Sequence, residues 1–321
     1  MYSNRRHLTV LVTVLLPIAI TPPSAIAQAG KPPASTVVIE NTNADYKPSQ
    51  ETVPQANPTR PTVTNSAHLI PTAYFQFEQG INRADRSPAG IAGQTSLLQT
   101  TKVSLNTFVQ LQFITEPYAY STVVQSDSSS LQTNDPGDLI LGVQVVLFKA
   151  AGPIPSIAAG YLHRVRTGTA PNIDLGGYSQ SLVLLFGGDL PANFHYDANI
   201  LFNEQNDGPI RRLQTGQTLA VSHPLFAKKS HFSGIAELSH FTQPLTSDTF
   251  RGAPVTHAHA FDLLFASTWS ARPNLIFDAA LVHGLTSTST QWQETIGFTY
   301  LLPRRLWPDR HPVPHPKTST P

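Results

Sequence analysis

The chain of 321 residues has no cysteine, a single methionine and only 13% charged residues. The absence of cysteine excludes a disulfide framework, thiol catalysis and thiolate metal sites. Beyond the first 27 residues, no stretch is long and apolar enough for a membrane-spanning helix. The scarcity of charge is typical of a wall that faces lipid, although a secreted β-sandwich has a similar composition.

The N-terminus has the three parts of a secretory signal peptide. Arg5 and Arg6 precede an apolar run from Leu8 to Ile20, and Ala25-Ile26-Ala27 is a small-x-small cleavage pattern. The run is short for a bilayer about 30 Å thick and is interrupted by proline, which disfavours the alternative of a retained anchor. We therefore predict that residues 1–27 are removed from an exported protein.

Loss of that signal leaves the mature chain almost neutral. It removes two of the 21 Lys and Arg residues and none of the 20 acidic residues, so 19 basic residues face 20 acidic ones, a net charge of −1. Such a balance provides no field to attract nucleic acid, and we expect no nucleic-acid partner.

Composition divides the rest of the chain into three regions. Residues 28–68 are rich in Pro, Thr, Ser, Ala and Asn, which predicts a disordered periplasmic arm. Residues 69–302 alternate apolar and polar side chains. Residues 303–321 are too rich in proline for a strand or helix and form a C-terminal tail.

Period-two alternation between residues 69 and 302 predicts twelve β-strands. They are placed near 72–81, 94–102, 106–115, 137–149, 155–166, 178–188, 193–203, 215–224, 230–241, 257–268, 274–284 and 291–302.

The connections between these strands are alternately short and long. Residues 150–154 and 270–273 form short turns, whereas residues 116–136 and 242–256 form long polar connections. Short periplasmic turns opposite longer outer loops are typical of outer-membrane barrels. An even number of strands then leaves both termini in the periplasm. The fold class predicted is all-β, an antiparallel transmembrane β-barrel of about twelve strands.

The two faces of the predicted strands differ in polarity. In residues 194–203, one face carries Phe194, Tyr196, Ala198, Ile200 and Phe202, and the other carries His195, Asp197, Asn199 and Asn203. A barrel turns the first face to lipid and the second to its lumen, whereas a soluble sandwich buries the first face in a core.

The strand predicted at 137–149 is less regular than the others. One of its faces mixes Asp138 and Gln144 with Ile140, Val146 and Phe148. This mixture indicates a partly plugged lumen, a packed end of the barrel, or a wrong strand assignment.

The last predicted strand has a more specific pattern. Thr295 to Leu302 resembles the β-signal that the barrel-assembly machinery recognises, with Leu302 in place of the usual terminal aromatic residue. We therefore expect that machinery and outer-membrane lipid to be partners of the chain.

Several motifs together resemble one family. They are Gly137-Asp138-Leu139, Arg166-Thr167-Gly168, Glu237 within Gly234 to Leu238, Asn274 to Asp278, Gly284-Leu285-Thr286 and Gly297 to Tyr300. In this order they resemble the family called "putative MetA-pathway of phenol degradation" over roughly 70–302. The resemblance implies an outer-membrane β-barrel of transporter type, with passive uptake of small apolar or aromatic solutes as its function. We expect no enzymatic activity, no catalytic residues and no cofactor.

Polar residues at lumen-facing positions are the candidate site residues. A narrow lumen lined by both charge signs can orient or select a solute, but the same side chains can equally pair across strands and hold the wall together. The candidates are Glu78, Gln110, Gln112, Asp138, Arg164, Arg166, His195, Asp197, Asn199, Glu237, Asp262 and Asp278.

Two further alternatives come from the histidines. His257 and His259 share one face of a strand, but two ligands are too few for a metal site, and a His-rich strand end is the plainer interpretation. An outer-membrane hydrolase needs a serine activated by histidine. In Ser222-His223 and Ser239-His240 the two side chains point to opposite faces of a strand, which argues against direct pairing.

A non-transporting barrel with a structural or adhesive role at the cell surface also agrees with the pattern. Residues 116–136 and 242–256 would then be its presenting loops.

Overall fold

The computed structural model describes residues 54–88, 90–125, 127–151, 154–171, 173, 178–207, 210–226, 231–245 and 256–307. Thirteen strands lie in this part of the chain: β1 (Phe75–Ser87), β2 (Ile91–Ser104), β3 (Val109–Val124), β4 (Ser130–Asp135), β5 (Leu139–Phe148), β6 (Ser156–Val165), β7 (Tyr178–Leu190), β8 (Phe194–Asp207), β9 (Ile210–Pro224), β10 (Phe232–Leu245), β11 (Thr256–Arg272), β12 (Leu275–Gly284) and β13 (Trp292–Leu301). A 3-10 turn over Pro191–Asn193 joins β7 to β8. Among the described residues, no helix has the length and apolar character needed to cross a membrane.

Twelve of these strands close into an antiparallel ring. Each pairs with its neighbours in sequence, β1 pairs with β13, and the pairing of β2 with β3 completes the circle. β4 pairs only with the last part of β3 and stands outside the ring. The predicted fold class is therefore confirmed, and each of the twelve predicted strands overlaps one strand of the ring.

One predicted loop is a hairpin. The sequence predicted a loop over 116–136, but β3 continues to Val124, and β4 pairs back on it from Ala119 opposite Asp135 to Val124 opposite Ser130. Tyr118 and Tyr120 have high strand propensity, which favours this extension. The prediction was wrong because β4 is mostly polar on both faces, so it lacks the alternation that reveals a strand. Of the second predicted loop, residues 242–245 belong to β10, and 246–255 lie outside the described residues.

The ring has two mouths, which we name from the position of the chain ends. The terminal mouth is where β1 begins and β13 ends, as the hydrogen bond from Leu302 N to Phe75 O (2.9 Å) shows. The opposite opening is the far mouth. Connections at the terminal mouth are short, down to two residues between β11 and β12.

The polarity of the wall is inverted relative to a soluble protein. On β8, Phe194 and Phe202 are 40% and 37% exposed, whereas Asn199 and Asn203 are 2% and 4% exposed. The predicted division of faces in this strand is thus correct, with the apolar side chains outside the ring and the polar ones inside. A sandwich core would require the reverse burial.

A row of aromatic side chains surrounds part of the terminal mouth on the outer face. Phe232 stacks on Trp269 (ring centroids 6.0 Å apart), and Trp269 stacks on Phe277 (5.5 Å). Phe277 lies opposite Phe298, whose ring is 6.2 Å from that of Phe77 on β1. Such rows lie at the level of lipid headgroups, so this one marks an edge of the apolar band.

The outer face predicts the effect of a charge in the middle of the wall. Phe265 on β11 is 59% exposed on this face. Phe265→Arg should lower the free energy of unfolding from lipid by about 2–4 kcal/mol, because arginine is costly near the bilayer midplane. Denaturant titration in vesicles measures this change. Leu131→Arg, on the exposed β4, is the matched control and should have little effect; equal effects would contradict the assigned faces.

Candidate functional site

The interior of the ring is occupied by residues 54–74, which we call the inner segment. Its hydrogen bonds reach inward side chains of eight of the twelve ring strands: Gln76, Glu78, Lys102, Gln110, Gln144, Asn199, Glu237, Asp278 and Thr295. A segment that contacts strands on all sides of a closed ring lies inside it. The prediction of a disordered arm is therefore wrong for residues 54–68, because their backbone groups have partners on the wall. Residues 28–53 lie outside the described residues.

Two wall amides each bind both backbone groups of one residue. Gln76 accepts from Asn57 N (2.8 Å) and donates to Asn57 O (2.7 Å). Asn199 accepts from Asn65 N (2.7 Å) and donates to Asn65 O (2.8 Å). Each side chain thus provides hydrogen-bond partners for the backbone N–H and C=O of one residue of the inner segment, as a neighbouring strand would.

Two wall carboxylates bind further backbone N–H groups. Glu78 accepts from Thr59 N (3.0 Å), Arg60 N (3.2 Å) and the Thr59 hydroxyl (2.7 Å). Glu237, on the other side of the ring, accepts from Val63 N (3.2 Å) and Thr64 N (3.1 Å). Carboxyl oxygens that accept from several N–H groups satisfy backbone donors that would otherwise be buried without a partner. The two glutamates therefore fix the inner segment at two places on the wall, on β1 and on β10.

Glu78 also forms a buried ion pair with Lys102. Lys102 Nζ lies 2.6 Å from Glu78 Oε1 and donates to Asn57 O at 2.9 Å. Both side chains are almost completely excluded from solvent. Burying two charges is tolerable only when each is paired and hydrogen-bonded, as they are here.

The side chain of Arg60 fits a notch in the wall. Its guanidinium donates to Asp278 Oδ1 (3.3 Å) and to the Thr295 hydroxyl. Gly80 and Gly297 face each other across β1 and β13, and a Cβ on either would collide with the guanidinium. The two glycines therefore leave the space that the arginine fills.

Apolar contacts secure both ends of the inner segment. Ala67 and Leu69 pack against Val146, Ala158, Val183 and Leu185, and Ala56, Ile70 and Tyr74 pack with Ile276 and Leu301. The partly plugged lumen thus accounts for Val146 in the mixed face predicted for residues 137–149, whereas Phe148 follows a register shift and is exposed.

At the far mouth, the loop after β6 turns inward. Asp138 accepts from Thr167 N (2.9 Å) and Gly168 N (3.0 Å) and pairs with Arg164 (3.7 Å). Further along, Pro171 O accepts from Gln94 of β2 (2.8 Å), three strands away in the ring. This loop therefore lies across part of the opening.

The structure places the predicted site residues in different surroundings. Glu78, Gln110, Asn199, Glu237 and Asp278 bind the inner segment. Gln112 donates to Gln144 (3.0 Å), while Asp138 and Arg164 hold the far-mouth loop. His195 lies between Asp189 (2.7 Å) and Asp197 (3.3 Å) near the terminal mouth, Asp262 belongs to β11, and Arg166 is exposed just after β6.

Four residues that meet in this interior were not among the candidate site residues. They are Arg60 in the inner segment and Gln76, Lys102 and Gln144 on the wall. The one signal in the sequence for Lys102 was its position in the predicted strand 94–102, which follows the predicted strand that contains Glu78.

The imidazoles of the hydrolase and metal alternatives have other partners. His223 Nε2 lies 3.1 Å from Ala192 O, and His240 lies 2.8 Å from Gln217 Oε1 and 3.0 Å from His259 Nδ1. The side chain of His257 lies outside the described residues. Within the part of the chain that the structure describes, no group of three or more His, Asp or Glu residues has an arrangement that could hold a metal ion.

A closed ring of strands that is apolar outside and polar inside is an outer-membrane β-barrel. The chain belongs to the family described as "Putative MetA-pathway of phenol degradation", which matches residues 59–302. This match confirms the resemblance inferred from the motifs.

The chain is similar to several solved structures, of which the first shares its fold. An outer membrane channel from Pseudomonas putida F1 is similar with a TM-score of 0.53 at 13% identity, over 75% of this chain and 100% of that one. NanC porin (TM-score 0.44, 8% identity) and KdgM porin (0.43, 10% identity) each match 70% of this chain and 98% of their own. No curated protein matches the sequence.

The buried ion pair predicts that removing Lys102 lowers the stability of the barrel and that a second substitution, at Glu78, restores most of it. Lys102→Met should lower the free energy of unfolding by about 3–5 kcal/mol, because it leaves the Glu78 carboxylate buried without its cation. The double substitution Lys102→Met with Glu78→Gln should recover most of this loss. Denaturant titration in vesicles measures both. A double variant no more stable than the single one would contradict the pairing.

Proposed function

We propose that the protein is a passive outer-membrane channel for small uncharged solutes, among them phenolic compounds, and that the inner segment closes it in the state described. The observation that carries the proposal is the closed ring with a polar interior. Such an interior offers a path between the two mouths once the inner segment and the far-mouth loop move aside.

The ion pairs of the interior support the choice of uncharged solutes. Lys102 pairs with Glu78, Arg60 with Asp278, and Arg164 with Asp138. Pores that select ions carry rings of one charge sign, whereas pairs of opposite sign leave little net field. Uncharged solutes would then be preferred over ions of either sign.

Amide side chains support the choice of phenolic solutes. Gln94, Asn203, Gln205 and Gln214 are buried on the ring strands, and an amide both donates and accepts hydrogen bonds. A phenolic hydroxyl needs both kinds of partner. The description of the family, which refers to phenol degradation, agrees with this chemistry.

The same proposal includes orientation and partners. Short connections are typical of the periplasmic side, so the terminal mouth would open to the periplasm and both chain ends would lie there. The barrel-assembly machinery would recognise residues 295–302, and outer-membrane lipid would cover the aromatic row.

Reconstitution into liposomes tests the proposed channel. A variant with Arg60→Ala, which loosens the inner segment, should pass a phenolic glycoside and a pentose faster than empty liposomes do, and a salt gradient across a planar bilayer should give a reversal potential near zero. Gly160→Ala is the control, since a Cβ there makes only ordinary contacts of 3.6 Å or more. No flux above the blank would remove the channel, and a strong preference for one ion sign would remove the uncharged substrate class.

The hairpin of β3 and β4 favours a second candidate, a surface protein that binds a partner. Tyr118, Tyr120 and Leu131 are exposed on it, and its second strand, β4, stands outside the ring. Replacing residues 119–135 with a short Gly-Ser turn should abolish adhesion to cells if the hairpin presents a binding surface. Unchanged adhesion together with retained solute flux would favour the channel alone.

A further inference from the structure

We propose that the inner wall of the barrel is a binding site for a peptide segment containing arginine, and that residues 57–66 of the same chain are its exchangeable occupant. The inference rests on the proposed function only for the consequence that release of this occupant opens the channel.

The manner of recognition is that of a ligand and not of a strand. Backbone-to-backbone hydrogen bonds join the inner segment to the wall only near its ends, at Ala56 with Pro273 and at Ala73 and Tyr74 with Ser104, within the described residues. Between these ends, its backbone is held by wall side chains. Wall side chains that bind both the N–H and the C=O of a residue recognise the backbone of the segment without adding it to the sheet as a strand, in contrast to peptides that bind by strand addition.

Two paired amides define this backbone recognition. Gln76 holds Asn57 and Asn199 holds Asn65, each through one accepted and one donated hydrogen bond. Glu78 and Glu237 add acceptors for the N–H groups of residues between them. A peptide of the same length and backbone path would meet the same four side chains.

The arginine notch adds side-chain specificity. Gly80 and Gly297 provide the space, and Asp278 provides the opposite charge. A fork of N–H donors beside a carboxylate is the geometry that selects arginine over a neutral residue. The preferred ligand is therefore a peptide with one arginine among proline, threonine and other small residues, as in residues 57–66.

The distribution of contacts indicates that this middle part can be released. The apolar clusters hold Ala56 and residues 67–74, whereas residues 57–66 rely on hydrogen bonds and the Arg60 pair. Water can replace hydrogen bonds when a segment leaves, so the net gain from each is modest. Segments with few apolar contacts open at lower free energy than the packed wall.

A single cysteine in the full-length protein reports this release. The chain has no native cysteine, and Thr64 is 3% exposed. Thr64→Cys should react slowly with a maleimide in nanodiscs, far more slowly than Leu131→Cys on the exposed β4. Equal rates would show that the site is not occupied as described and would overturn the proposal.

The wall side of the site has a matched pair of variants, each made in the Thr64→Cys protein. Asn199→Leu removes both hydrogen bonds to Asn65 and should raise the labelling rate of the introduced thiol about tenfold or more, the effect of one net hydrogen bond or a little over. Asn203→Leu, on the same face of the same strand, removes a bond to Gln214 and should leave the rate unchanged. If Asn199→Leu fails to fold, Gly80→Ala, which displaces Arg60, should raise the rate, with Gly160→Ala as control. No increase in the folded variant would overturn the proposal.

Competition in trans tests the ligand class. In full-length Arg60→Ala with Thr64→Cys, a synthetic peptide of residues 54–70 at millimolar concentration should raise the labelling rate of the introduced thiol, because its arginine fills the vacated notch. The same peptide with alanine for arginine should have no effect. Failure of the native peptide to act would overturn the proposal. Thiol labelling does not depend on solute flux. Labelling as expected together with no flux would therefore contradict the proposed channel and leave the proposed peptide site standing.

Discussion

The structure depends on the requirement that no backbone hydrogen-bonding group faces hydrocarbon unpaired. A sheet meets this requirement only by closing, and here β2 pairs with β3 to complete the ring. Closure in lipid then determines the placement of side chains, because the outer face must be apolar and the polar residues of each strand turn inward. The aromatic row and the amide-rich interior both follow from it.

A ring of twelve strands encloses more space than its own side chains fill. The inner segment occupies part of that space, and its backbone N–H and C=O groups also need hydrogen-bond partners inside the ring. The wall provides these partners with the side chains of Gln76, Glu78, Asn199 and Glu237. These side chains are buried in the wall, so wall and segment stabilise each other. The Lys102–Glu78 pair belongs to the same arrangement, since Lys102 also binds Asn57.

The ring could be predicted from the sequence because period two is a local pattern. Phe194 to Phe202 reveal their outward face within ten residues, although the strand predicted at 137–149 has a mixed face. The inner segment lacks such a pattern, and its partners are distant: Thr64 binds Glu237, 173 residues away. A composition rich in Pro, Thr and Asn therefore predicted disorder. The usable signal was on the wall, where Val146 is apolar at an inward position. The hairpin of β3 and β4 was not predicted for a different reason, since β4 is mostly polar on both faces.

The central claim is that residues 59–65 lie inside the barrel and are bound by its wall, and amide hydrogen exchange tests it most directly. In the full-length protein in nanodiscs, the N–H groups of Thr59, Thr64 and Asn65 donate to Glu78, Glu237 and Asn199 and should exchange far more slowly than in a free peptide of the same sequence. Exchange at the rate of the free peptide, while the amides of β8 and β10 stay protected, would contradict the account.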